Sequence, residues 1–328
     1  MQKYRIVHLS DLHITARDSD PRYEVSLPHK KLRGMNDAFQ FLLRTPQLQL
    51  ADHIIITGDI TDKGEVQAWK KFWKYLQSAN LEHKTSFVIG NHDICELGRV
   101  NFYLSKKEKN RRIGHARTRL KRRLTSIGHT YNYPWVRLLR EDIAIFGVDS
   151  NNAGNLTDAS NALGEIGQRQ LSKFARLLKA YKDIPVKIVA LHHSPNLPET
   201  AKRVEHKSWL QKKYTRYTHQ IPQGDRRSLR LLCEAHGVQR IIHGHLHEYD
   251  DRTLNVRITG VPSSTQPSFA SGASELMFNE YNITKSPNDV YRVRNVQHSL
   301  PYGANIQPAG FWDWICEVTL LNLSRFKV

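Results

Sequence analysis

The sequence predicts an α/β protein. Short runs of β-branched apolar residues alternate with stretches whose apolar residues recur every three to four positions, and the runs break off at polar residues. The clearest run is Ile54-Ile55-Ile56-Thr57, followed by Gly58-Asp59-Ile60-Thr61-Asp62-Lys63-Gly64. Consecutive isoleucines describe a strand buried on both faces. Gly58 allows the backbone a close approach, and Asp59 stands at the carboxyl end of the strand, the edge at which open α/β sheets collect their ligands.

Composition sets the outer bounds. The chain has 328 residues, 39% apolar and 24% charged, enough for one large domain or two modest ones with a real core. Cys95, Cys233 and Cys316 are far apart and odd in number, so they form neither a disulfide framework nor a Cys-x-x-Cys metal site, and a reducing compartment is expected. The chain enters its first strand without the apolar core of a signal peptide. No apolar run approaches the roughly 18–20 residues that span a bilayer. A cytoplasmic protein is therefore expected, with a peripheral membrane association left open. The net charge of +18 is concentrated in two places. Residues 106–123 hold ten Lys/Arg and one acid, Glu108; residues 202–216 hold six and one acid, Glu205. The remaining chain is nearly balanced.

The elements follow in order. Residues 3–9 read as a strand that delivers Asp11 and His13, two apart in extended chain and so on one side. A carboxylate and an imidazole side by side suit a transition metal; taken alone, the pair reads better as a capping Asp beside an exposed His. Residues 14–30 are polar and read as a loop. Residues 31–44 have helical spacing through Leu32, Met35, Phe39 and Leu43, ending at Pro46. After the Asp59 strand, residues 65–79 place Trp69, Phe72, Trp73 and Leu76 on one helix face, a core stripe. The strand at 85–89 ends in Gly90-Asn91-His92-Asp93, and residues 100–127 are helical and very basic. A strand at 143–149 ends at Asp149, and residues 165–181 form an amphipathic helix. The strand at 186–191 delivers His192-His193. A basic insertion at 196–225 contains Trp209, Tyr214 and Tyr217. A helix at 226–235 and a strand at 238–242 lead to His243-Gly244-His245-Leu246-His247, where His245 and His247 share a side. Beyond Pro262, residues 275–283, 290–296 and 315–321 read as antiparallel strands.

Five strand ends thus carry Asp11-x-His13, Gly58-Asp59, Gly90-Asn91-His92-Asp93, His192-His193 and Gly244-His245-Leu246-His247. This order resembles the calcineurin-like metallophosphoesterase superfamily over roughly residues 5–265. The opening at His8–His13, the Leu191-His192-His193 strand end and Gly147-Val148-Asp149-Ser150-Asn151 resemble its bacterial cyclic-nucleotide and glycerophosphodiester phosphodiesterase branch. The resemblance implies a four-layer αββα sandwich, two mixed β-sheets flanked by helices, over residues 1–265, with 266–328 a β-rich extension. It implies one metal ion on Asp11, His13, Asp59 and His247. A second would sit on Asp59, Asn91, His192 and His245, Asp59 bridging. His92 would assist the leaving group and Asp62 would orient His92. Lys63 stands where the family's protein phosphatases have Arg, and His92 where its UDP-diacylglucosamine hydrolases have Arg; neither activity is expected. His193 and His243 read as hydrogen-bond partners of neighbouring ligands.

The chemistry is coherent without the resemblance. Mixed nitrogen and oxygen donors with no thiolate suit Mn2+, Fe (Fe3+ beside a divalent ion included) or Zn2+. Two cations on one carboxylate sit about 3.5–4 Å apart, clamp a phosphoryl displacement and lower the pKa of a bridging water, whose hydroxide would attack phosphorus. The expected function is hydrolysis of a phosphodiester or phosphomonoester. A nuclease or a lipid-phosphate or pyrophosphate hydrolase of the same chemistry is the alternative, and a non-catalytic scaffold is disfavoured because every ligand position is filled. Both basic insertions follow ligand-bearing strand ends, so they are expected to rim the site and attract an anionic phosphate ester, a nucleic acid or an anionic membrane surface.

Overall fold

The computed structural model describes residues 3–20, 22–23, 30–32, 34–94, 106–129, 131–151, 163–196, 221–266, 275–302 and 307–308. The first half runs β1 (Lys3–Leu9), β2 (Arg22–Tyr23), β3 (Lys30–Leu32), α1 (Met35–Leu43), α2 (Pro46–Gln49), β4 (His53–Thr57), α3 (Val66–Ser78), β5 (Thr85–Val88), α4 (Asn91–Ile94) and α5 (Lys106–Ser126). The second half runs β6 (Trp135–Arg140), β7 (Ile143–Gly147), α6 (Gln168–Ala180), β8 (Val186–Ala190), α7 (Gln223–Ala235), β9 (Arg240–His243), β10 (Asp250–Leu254), β11 (Val256–Gly260), β12 (Glu275–Lys285), β13 (Tyr291–Pro301) and β14 (Gln307–Pro308).

Two mixed sheets result, in the orders β13-β12-β1-β4-β5 and β10-β11-β9-β8-β7-β6. In the first, β1, β4 and β5 are parallel and β12 and β13 antiparallel. In the second, β7, β8, β9 and β11 are parallel, flanked by antiparallel β6 and β10. The period-2 alternation of side chains then sorts the core into layers. Val7, Leu9, Ile54 and Ile56 pack outward against Phe39 of α1, Trp69 and Phe72 of α3, and Leu120 and Leu124 of α5. Their sequence neighbours Ile6 and Ile55 turn inward and meet Ile145, Ile188, Ala190 and Ile242 of the other sheet. Phe146, Val189 and Ile241 face outward again, onto Phe174 and Leu178 of α6 and Leu229 and Cys233 of α7. Helix, sheet, sheet and helix therefore stack in four layers, as the resemblance implied.

Several boundaries differ from the sequence reading, each for a local reason. Residues 30–32 pair with β2 and β14 rather than opening α1, which begins at Met35. Pro46 does not simply end a helix; it takes the first position of α2, where its missing N–H costs nothing. The strand β6 and the β10–β11 hairpin had no clear signal, because β6 is half-exposed throughout and β10 reads Asp-Asp-Arg-Thr-Leu. The segment after 265 supplies β12, which is inserted beside β1 in the register Ile6↔Tyr281, and β13 beyond it. The strand expected at 315–321 and most of the 196–225 insertion lie outside the described residues. Among the described residues no helix is long and apolar enough to cross a membrane.

Candidate metal centre

The carboxyl ends of β1, β4, β5, β8 and β9 meet along one edge, in the seam between the sheets. Parallel pairing of β1 with β4 continues past both strands through Asp11 N–H to Gly58 O (3.0 Å), His13 N–H to Asp59 O (2.9 Å) and Ile14 N–H to Ile60 O (2.9 Å). That ladder holds Asp11, His13 and Asp59 in register. Five of the seven expected ligands, Asp11, His13, Asp59, His245 and His247, have φ between 46° and 69°. Non-glycine residues seldom adopt this left-handed conformation; where several do so together, the surrounding structure holds the strain at a functional site. Asn91 and His192 reach the same place with ordinary backbone, Asn91 from the first turn of α4.

Two sets of donor atoms converge. Asp59, His192 and His245 form one and Asp11, His13 and His247 another, the atoms of each set lying within 4.8 Å of one another. In the first, His192 Nε2 lies 3.0 Å from Asn91 Oδ1, 3.3 Å from Asp59 Oδ2 and 3.2 Å from His245 Nδ1. His192 Nδ1 donates to the Thr57 carbonyl at 2.7 Å, which turns Nε2 into the cluster. In the second, His247 Nε2 is 3.3 Å from Asp11 Oδ1. Asp59 Oδ2 also lies 3.9 Å from His13 Nε2, so this one oxygen stands between the two sets. The remaining Asp59 oxygen, Oδ1, accepts the His92 N–H at 2.9 Å.

Electrostatics point the same way. Burial disfavours a charge on His192, yet the Asp59 carboxylate beside it lifts its pKa to about 9. Burial would likewise raise Asp59, but the His192 and His92 imidazoles hold it well below the usual carboxylate range. Asp11 Oδ1 is buried, with the His247 imidazole as its near neighbour at 3.3 Å. With two buried carboxylates, Asp11 and Asp59, and no thiolate, the donor set fits a pair of borderline or hard cations.

The third cluster joins His13, Asp62 and His92. Here the structure refines the sequence reading. His92 Nδ1 donates to the Asp62 main-chain carbonyl at 2.8 Å, whereas the Asp62 carboxylate is 3.9 Å away. That carboxylate is closer to His13 Nδ1, at 3.5 Å. A carbonyl can only accept, so Nδ1 of His92 carries its proton and Nε2 faces the site, 3.9 Å from Asp59 Oδ2. His193 and His243 are outside all three clusters: His193 Nδ1 bonds the Ser150 hydroxyl at 3.0 Å, and His243 Nδ1 the Gly244 carbonyl at 3.0 Å.

Several supporting residues carried no role in the sequence reading. Asp93 accepts from Thr61 N–H and Oγ1 at 2.8 and 2.9 Å, Gly90 N–H at 2.9 Å and Ile60 N–H at 3.2 Å, tying the two ligand loops together. Its burial, with the Asp59 charge, pushes its pKa up to about 6. Ser263 and Thr265 hydroxyls donate to the carbonyls of Asp11 and Leu12, both at 2.7 Å. The available signal for Asp93 was its place as the last of three polar residues after a buried strand; the serines and threonines had none, since only folding brings them to the Asp11 loop.

With this geometry in view, comparison with known proteins decides the family. The model of the calcineurin-like phosphoesterases matches residues 4–249. The chain belongs to that family. Over 96 residues it is 31% identical to a probable cyclic nucleotide phosphodiesterase of Xenorhabdus bovienii, a match covering 27% of this chain and 34% of the relative. The chain thus matches about a third of the length of that relative. A dimetal phosphatase from Danio rerio shares the fold at a TM-score of 0.55 and 11% identity, covering 92% of this chain and 99% of that one. The family is one of metallophosphoesterases, and the strand ends of this chain assemble His/Asp groups that could hold metal ions.

Proposed function

We propose that this protein hydrolyses a phosphodiester, of the size of a cyclic nucleotide or larger, at the edge shared by the two sheets. Asp11, His13, Asp59 and His247 would hold one cation and Asp59, Asn91, His192 and His245 the other, with Mn2+, Fe or Zn2+ as the metals that this donor set accommodates. When bound, the two cations polarise the phosphoryl group and make water acidic near neutral pH. The chain's own residues do the rest. Asp62 O accepts from His92 Nδ1, which leaves Nε2 turned to the site; with a second proton taken there from water, the imidazolium would pass that proton to the departing alkoxide and return to the neutral ring. The Asp62 carboxylate beside His13 Nδ1 keeps Nε2 of His13 aimed at the Asp59 oxygen. Cytoplasmic residence is proposed from the separated cysteines and the buried free thiol of Cys233.

The observation that carries the reading is the placement of Asp59 Oδ2 between the two donor sets. The test measures bound metal and hydrolysis of bis(p-nitrophenyl) phosphate and of a methyl ester with a poorer leaving group. Asp59→Asn should lose metal and activity together. His92→Asn should keep its metal and lose about 10²–10⁴-fold on the poorer leaving group, and less on p-nitrophenolate. Full metal content and full activity in Asp59→Asn would end the proposal.

A further inference from the structure

The helix α5 is the feature that hydrolysis of a small ester leaves unexplained. Its 21 residues extend about 30 Å. Within it, Arg117 and Lys121 are four apart, as are Arg119 and Arg123, so the helix carries like charges at neighbouring surface positions. Leu120 and Leu124 alone enter the core from the described helix side chains, and Arg117 lies 4.0 Å from the Asp149 carboxylate. The helix is seated at the site's own edge. It packs on α4, which carries Asn91 and His92, and Arg117 donates to the Asn151 carbonyl at 3.2 Å, just beyond the carboxyl end of β7. Asn151 Nδ2 in turn donates to Ile89 O at 3.0 Å, immediately before the Gly90-Asn91 loop. The outward positions include Arg111, His115, Arg119, Lys121 and Arg122, and none of the exposed described positions on the helix is apolar.

From this we infer that α5 is a docking rail for the phosphate backbone of a nucleic-acid strand, delivered along the helix to the metal centre. The inference rests on the phosphodiesterase reading and narrows its substrate to a polynucleotide. A row of cations releases condensed counterions from a polyanion. An interfacial membrane helix needs an apolar face to bury among lipid chains, and the exposed positions described on α5 supply none.

The test uses the full-length, Mn2+-loaded protein and a fluorescent single-stranded oligonucleotide of about 16 nucleotides, with phosphorothioate linkages to resist cleavage. Binding is read by anisotropy across a salt series for wild type and for a Lys121→Gln/Arg122→Gln double variant, both positions being exposed. The slope of log affinity against log salt should fall by about 1.4, at about 0.7 per phosphate contact removed from a single strand. Turnover of bis(p-nitrophenyl) phosphate by the double variant should stay at the wild-type level. An unchanged slope overturns the inference, as does a wild type that ignores the oligonucleotide. Phosphatidylglycerol vesicles provide the other arm: charge-dependent binding to vesicles without binding to the oligonucleotide overturns it in favour of a membrane. If wild type cleaves no phosphodiester with any metal, the catalytic reading fails, and the oligonucleotide slope still judges the rail by itself.

Discussion

Gly90 offers the sharpest test of the site's geometry, because the room it leaves is already taken by Asp59. A Cβ at position 90 would lie 2.1 Å from Asp59 Oδ1 and 2.3 Å from Asp59 N, where ordinary contact begins near 3.4 Å. The nearer clash is with a side-chain oxygen, but the second is with backbone, which cannot rotate away. Gly90→Ala must therefore push the loop after β4 away by about 1 Å, a misplacement that costs on the order of 10²-fold in rate when it falls on catalytic groups. Forcing an extra methyl into packed structure should also cost about 1–3 kcal/mol. Metal content after dialysis, turnover of bis(p-nitrophenyl) phosphate and thermal melting read the three consequences. Gly114→Ala is the control. Nothing lies within 4 Å of its added Cβ, and alanine in the exposed helix should stabilise by up to about 1 kcal/mol with activity unchanged. A Gly90→Ala protein with both metals and wild-type turnover would refute the placement of Asp59 against the Gly90 loop, and with it the shared-oxygen arrangement.

Two further outcomes are expected. Asp93→Asn presents an amide N–H₂ where one carboxylate oxygen now accepts backbone N–H groups, so the ligand loops should loosen, with stability down by about 1–3 kcal/mol and weaker metal retention; equal melting temperature and metal content would argue against it. The metal-free protein should lose stability as pH rises. His192 binds its proton more tightly folded than unfolded, so its contribution is complete below pH 6.5 and disappears as pH climbs through about 9. Melting in chelator across that window should show the fall, and bound metal, which replaces the proton, should abolish it. A flat or rising melting temperature in chelator would refute the His192–Asp59 pairing.

Much of this was present in the sequence because it is local. Isoleucine runs such as 54–56 encode strands buried on both faces, the Trp69-Phe72-Trp73-Leu76 spacing encodes a helix face, and a polar residue ending a buried run marks the sheet edge where ligands gather. The residue types at five strand ends were enough to point to the family. Tertiary structure decided what depends on pairing between distant segments. It set which oxygen of Asp59 stands between the two donor sets and which atom of Asp62 accepts from His92. It also drew Asp93 into bridging the loops and placed β12 beside β1. The left-handed backbone at Asp11, His13, Asp59, His245 and His247 is of the same kind, since no short-range preference of Asp or His requires it. Those conformations are held by hydrogen bonds from residues far along the chain, such as Ser263 to the carbonyl of Asp11, and a linear pattern carries no record of such bonds until the strands have found their neighbours.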